Sequence, residues 1–74
     1  MVITLKLDLG SYRRYTLKRW VRRGEFLGLS PFFDDQVVLS PIDGTIERIE
    51  VDSEEHAVRI VIRRQDVQWQ AAHP

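Results

Sequence analysis

Residues 40–46 read Ser-Pro-Ile-Asp-Gly-Thr-Ile, between the apolar run 37–39 and a strand-like run that reaches Val51. Proline fixes φ near about −65° and removes a backbone donor, whereas glycine can take a positive φ at no steric cost. The stretch therefore predicts a tight corner between two strands. We expect a positive φ at Gly44, and we expect the carboxylate of Asp43 to accept hydrogen bonds within its own turn.

Alternating hydrophobicity predicts strands on both sides of this corner. Apolar and polar residues alternate over 3–9 and, with β-branched residues facing one way, over 58–63. A further strand is predicted over 45–51, joined to a strand at 57–63 by the polar turn 52–56. Strict alternation fails within 45–51, so we expect a β-bulge near Arg48. The pattern as a whole indicates an all-β protein.

Residues 11–23 fit two structures. Leu17, Trp20 and Val21 recur as on one face of a helix, which Ser11 could cap and Gly24 could end. Two observations disfavour a helix. It would place Arg13 and Arg14 at the positive end of its dipole, and the aromatic and β-branched residues of this segment prefer a strand. The residues alone leave a strand and one short helix equally open.

Length and composition predict one small domain over residues 1–64, followed by a tail over 65–74 that is an edge strand or a frayed end. A chain of 74 residues buries a small core, and small scaffolds often gain stability from disulfides, metals or association. Cysteine is absent, and two histidines far apart give no ligand set for zinc. We therefore expect no metal, and a well-packed core or a homodimer. With no signal peptide or membrane span apparent, we expect a cytoplasmic protein.

Charge is balanced over the whole chain, with eleven basic and eleven acidic residues, but it is segregated along it. Seven cations against one acid give residues 1–24 a charge of +6, and nine acids against one cation give residues 25–57 a charge of −8. Residues 58–74 add +2. We expect the basic and acidic segments to lie side by side in the fold or across a dimer. We favour this arrangement over a nucleic-acid-binding surface, because a chain without net charge exerts little long-range pull on phosphates.

Residues 7–10, 17–27 and 39–49 carry three motifs in a fixed order. They are an opening strand ending in a small turn, a tryptophan-containing strand running through valine to glycine and an acid, and a serine-proline corner closed by aspartate-glycine. This order is similar to that of the biotinyl/lipoyl-domain family over residues 3–62. The resemblance implies a small flattened β-barrel or sandwich, the barrel-sandwich hybrid, and makes residues 15–21 a strand.

The covalent role that the resemblance would imply is not expected in this chain. In that family an exposed lysine on a hairpin between the last two motifs carries biotin or lipoyl, whereas residues 28–36 contain no lysine. We therefore expect no cofactor and a non-enzymatic scaffold or protein-interaction module. The candidate partner surface is the apolar and acidic run at this hairpin, consisting of Phe32, Phe33, Asp34 and Asp35. The alternative is that one or both phenylalanines close the end of a small barrel.

A second hypothesis is binding of single-stranded nucleic acid by the segment 12–23. Cations neutralise phosphates and aromatic rings stack on unpaired bases. The candidate residues are Arg13, Arg14, Lys18, Arg19, Trp20, Arg22 and Arg23. As a strand the segment would divide its cations between two faces, whereas as a helix it would align Arg14, Lys18 and Arg22 in one exposed row.

Catalytic residues are not expected. The four serines occur in turn contexts that account for them, and His56 lies in a charged turn where a solvated histidine is the ordinary case. Adjacent acids such as Asp34 and Asp35 are usually solvated rather than catalytic. The chain also lacks a glycine-rich loop that could hold phosphate.

Overall fold

The structure, a computed structural model, describes residues 1–32 and 36–65. Its elements in chain order are β1 (Val2–Asp8), α1 (Leu9–Arg14), β2 (Trp20–Val21), β3 (Phe26–Leu29), β4 (Val37–Leu39), β5 (Gly44–Asp52) and β6 (Ala57–Arg64). Most of the described residues lie in strands, with one short helix, so the predicted all-β class is confirmed.

The strands form two antiparallel sheets. Four of them pair in the order β1-β6-β5-β2 and curl into half a barrel, and β3 pairs with β4 in a separate two-stranded sheet. The hairpin of β5 and β6 matches the sequence prediction, including its polar turn. Its register shifts between Ile46 and Arg48, so the predicted bulge is confirmed. The extra residue keeps Ile46 and Ile49 opposite Ile62 and Ile60 of β6, on one face of the sheet, on both sides of the shift.

The core lies on the concave face of the four-stranded sheet. Leu5 and Leu7 of β1 lie opposite Ile60 and Val58 of β6, which places the alternating apolar residues of both strands on this face. Burying one such side chain contributes about 1.5–3 kcal/mol. The buried cluster comprises Leu7, Leu9, Val21, Leu27, Val58, Ile60 and Ile62. Leu27 belongs to the two-stranded sheet, so the core joins the two sheets.

The ambiguous segment is divided between a helix and a very short strand. Helix α1 begins earlier than expected, because the carboxylate of Asp8 caps it by accepting the N–H of Ser11 at 3.0 Å. Ser11 is therefore inside the helix, and the prediction that it is the cap is wrong. Arg13 and Arg14 lie in the last turn, where the dipole favours cations, so the dipole argument against a helix is also wrong.

The strand implied over residues 15–21 is correct only at its end. Tyr15 is extended and ends the helix, residues 16–19 are irregular, and β2 has just two residues. Gly24 does not end a helix; it has φ +87° in the turn between β2 and β3. No helix of the described residues is long and apolar enough to cross a membrane.

The corner at residues 40–46 connects the two sheets, but two of its expected details are wrong. Gly44 does not have a positive φ. It is glycine because a Cβ there would collide with the carbonyl oxygen of Arg63 on the adjacent strand β6 and lie 2.7 Å from Cγ2 of Ile62. The carboxylate of Asp43 accepts the N–H of Arg23 at 2.8 Å, rather than one from its own turn. The corner is thus held by residues distant in sequence.

Candidate interaction surfaces

The outward face of the two-stranded sheet is apolar. Phe26 lies opposite Leu39, and Leu29 lies opposite Val37, so the four side chains share one face, which we call the hairpin face. Phe26, Val37 and Leu39 are 39%, 55% and 49% exposed, and Leu29 is half-buried. All four of these side chains are apolar.

The inward face of the same sheet is apolar as well. Leu27 is fully buried and Val38 packs against the core. An antiparallel sheet with one solvated face normally places polar residues on that face. The run Val37-Val38-Leu39 has instead the composition of a strand covered on both sides, and within the described residues only one side is covered.

The predicted partner surface lies in the loop that joins β3 to β4. Phe32 is 67% exposed, and its ring lies 5.5 Å from Nζ of Lys6, close enough for a cation–π contact. Its backbone N–H donates to Oγ of Ser30 at 3.1 Å. Phe33, Asp34 and Asp35 lie outside the described residues. The sequence pattern pointed to this hairpin through Phe32 but not to the hairpin face, for which the apolar run 37–39 was the available signal.

The outward face of the β5–β6 hairpin carries ion pairs. Glu50 lies 3.0 Å from Arg48 and 3.7 Å from Arg59, and Arg59 also contacts Asp52 at 3.3 Å. Arg63 pairs with Glu47 across the same hairpin. The N–H of Glu55 donates to Asp52 at 3.1 Å, and this bond, with Arg59, holds the pKa of Asp52 below its ordinary value of 3.8.

The basic segment takes little part in these pairs. Within the described ranges, Lys6 with Glu55, at 2.5 Å, is the one ion pair that joins segment 1–24 to segment 25–57. The acidic residues of β5 pair mainly with arginines of β6 instead. The expected side-by-side pairing inside the fold is thus met at one position, and its counterpart across a dimer stays a prediction.

A groove runs along the irregular residues after α1, between them and β5. Two adjoining hollows of about 310 and 380 Å³ share Leu17 and Ile49. We call this the basic groove. Its lining residues are Tyr12, Arg13, Tyr15, Thr16, Leu17, Lys18, Arg19, Ile46, Glu47 and Ile49. The N–H of Ile46 donates to the carbonyl of Arg19 at 2.8 Å, which fixes this segment against β5.

Only some of the residues predicted to bind nucleic acid line the basic groove. Arg13, Lys18 and Arg19 line it. Trp20, 56% exposed, pairs with Thr45 and points away from the buried Val21, so it faces the other side of the sheet. The other three do not line the groove: Arg14, Arg22 and Arg23. The expected helical row of Arg14, Lys18 and Arg22 is wrong, because α1 ends at Arg14.

The remaining polar groups make structural contacts. Oγ of Ser11 donates to the carbonyl of Asp8 and accepts the N–H of Leu29 at 3.0 Å, which ties α1 to β3. Oγ of Ser40 donates to the carbonyl of Ile42 at 2.6 Å inside the corner. In the part of the chain that the structure describes, no three acidic or histidine side chains converge as a metal site would require.

The chain was compared with family models, curated proteins and solved structures, and none of them matches. The resemblance to biotinyl/lipoyl domains therefore stays a prediction.

Proposed function

We propose that this protein is a non-enzymatic, cytoplasmic protein-interaction module with a lipoyl-like fold, and that it works without a covalent cofactor. The observation that carries the proposal is the hairpin face, where Phe26, Val37 and Leu39 are exposed on a sheet whose other face is already buried. Contiguous exposed apolar surface of this kind marks sites of association.

The occupant that we propose for the hairpin face is a second copy of the chain. A 74-residue domain without disulfides has little core of its own, and a two-fold contact would cover this face on both copies at once. The four side chains that define this face carry no charge that would repel the same face of a second copy. Phe32, which is 67% exposed in the connection between β3 and β4, is the second apolar contact that we propose.

The test is the oligomeric state of the purified full chain, measured by sedimentation over a range of concentrations. We expect a species of twice the chain mass of 8.7 kDa that dissociates on dilution. The double variant Val37→Ser/Leu39→Ser should be monomeric at every concentration. Phe32→Ser should weaken the dimer less, since Phe32 lies in the loop rather than on the face.

The matched control is Val2→Ser/Val51→Ser, which removes two apolar side chains of 46% and 58% exposure away from the hairpin face. This variant should dimerise like the unmodified chain. Circular dichroism of each variant shows whether it is folded. An unmodified chain that is monomeric at its highest soluble concentration would contradict the second copy as occupant. Capture of another protein that is lost with Val37→Ser/Leu39→Ser would then indicate a different partner for the same face.

A further inference from the structure

We infer that the basic groove binds single-stranded nucleic acid, with phosphates on its cations and a base against Tyr15. The groove is distinct from the hairpin face, although Tyr15 borders both. This inference does not depend on the proposed dimer.

The charges around the groove favour a polyanion. Arg13, Lys18 and Arg19 are exposed and make no ion pair within residues 1–32 and 36–65. Glu47 is the acid on the lining, and Arg63 pairs with it. The local field is therefore positive although the whole chain is neutral, and clustered cations of this kind bind phosphates with release of counterions.

The floor of the groove favours flat apolar groups. Leu17 and Ile46 are half-buried against the core, and Ile49 is 40% exposed. Tyr15 is 40% exposed, and its ring is perpendicular to that of Phe26, in a T-shaped pair with a centroid distance of 5.1 Å. An aromatic ring fixed in this way offers a face on which an unpaired base can stack.

A stacking position at Tyr15 favours a single strand over a duplex. The bases of a duplex are stacked on each other, so they could not reach Tyr15, whereas the bases of a single strand can be splayed out. Binding should also be tolerant of sequence, because stacking and phosphate contacts read no base edges.

The experiment measures fluorescence anisotropy of a labelled ten-nucleotide oligothymidylate with the full chain at several salt concentrations. Three phosphate contacts on a single strand predict a slope of about −2 in log K against log salt, or roughly a 20-fold loss of affinity from 50 to 200 mM. Lys18→Gln/Arg19→Gln should reduce the slope by about 1.4. Tyr15→Leu should lower the affinity about 5- to 150-fold while leaving the slope unchanged.

The matched control is Arg22→Gln/Arg23→Gln, which removes the same charge outside the groove. Both residues form their hydrogen bonds to Glu25 and Asp43 through the backbone, so the substitution preserves the turn. Affinity and slope should remain those of the unmodified chain. No binding at 50 mM salt, or equal losses in control and groove variants, would overturn the inference. Equally tight binding of polyglutamate would do so as well, because the groove would then be a site for acidic peptides.

Discussion

The outward faces of the two sheets differ in side-chain composition. In the four-stranded sheet, the β5–β6 hairpin carries paired charges on its outer face, such as Glu50 with Arg48 and Arg59. The two-stranded sheet exposes Phe26, Val37 and Leu39 on its outer face. A face of paired charges is suited to solvent, whereas the two-stranded sheet has the composition of a sheet that is covered on both sides. The difference indicates where this domain makes contact with something else.

The largest expected effect compares one leucine from each sheet. Leu7→Ala removes a fully buried side chain and should lower the free energy of unfolding by about 2–5 kcal/mol. Leu39→Ala, at a half-exposed position on the hairpin face, should cost about 1 kcal/mol or less. Urea unfolding at a concentration where the chain is monomeric measures both. Equal losses would show that the hairpin face is buried within the monomer, and the contrast between the sheets would not hold.

An intermediate effect compares one glycine from each sheet. Gly44→Ala would press a methyl group against the backbone of Arg63 in β6, so the strands must separate, at about 1–3 kcal/mol. Gly28→Ala would place its Cβ 2.9 Å from Oγ of Ser11, a side chain that can rotate away. That rotation costs Oγ its bonds to the N–H of Leu29 and the carbonyl of Asp8, about 0.5–1.5 kcal/mol each. Thermal unfolding should rank Gly44→Ala as the less stable, because the backbone of Arg63 cannot turn aside as the side chain of Ser11 can, and the reverse order would contradict the backbone contact as the reason for glycine at position 44.

The smallest expected effect is on the pH dependence of stability. The pKa of Asp52 is lowered in the folded state, first by the N–H of Glu55 and then by Arg59, so the folded state gains stability above the unfolded value of 3.8. This gain is lost as the pH falls through the folded pKa. Asp52→Asn keeps an oxygen that can accept the Glu55 N–H but removes the charge, so its unfolding midpoint should fall less steeply below pH 3.8.

The hairpin face supplies the comparison for this pH experiment, because it contains no titratable group. Val37→Thr should leave the slope of stability against pH identical to that of the unmodified chain. Superimposable curves for Asp52→Asn and the unmodified chain would show that the ion pairs on the outer face of the four-stranded sheet do not contribute to the acid response.

The candidate surfaces were only partly predictable from the sequence. The hairpin was identified through Phe32, but the exposure of Val37 and Leu39 was not, because an apolar run does not say which of its faces a second layer covers. The sequence pattern grouped the cations of the basic groove with Arg22 and Arg23, which do not line the groove. Their separation depends on where α1 ends and on the course of residues 16–19 past β5, and neither is encoded in local charge.

The sequence by itself determined β1, β5 and β6, the bulge near Arg48 and the core-facing sides of β1 and β6. Side chains alternate between the two faces of a strand, so an alternating pattern specifies its buried face in any context. Tertiary structure decided the rest. Helix α1 is held by bonds from Leu9 to His56 and from Leu29 to Ser11, and Gly44 is required by β6, which packs against it. These choices depend on groups that are distant along the chain, and only folding brings them into contact.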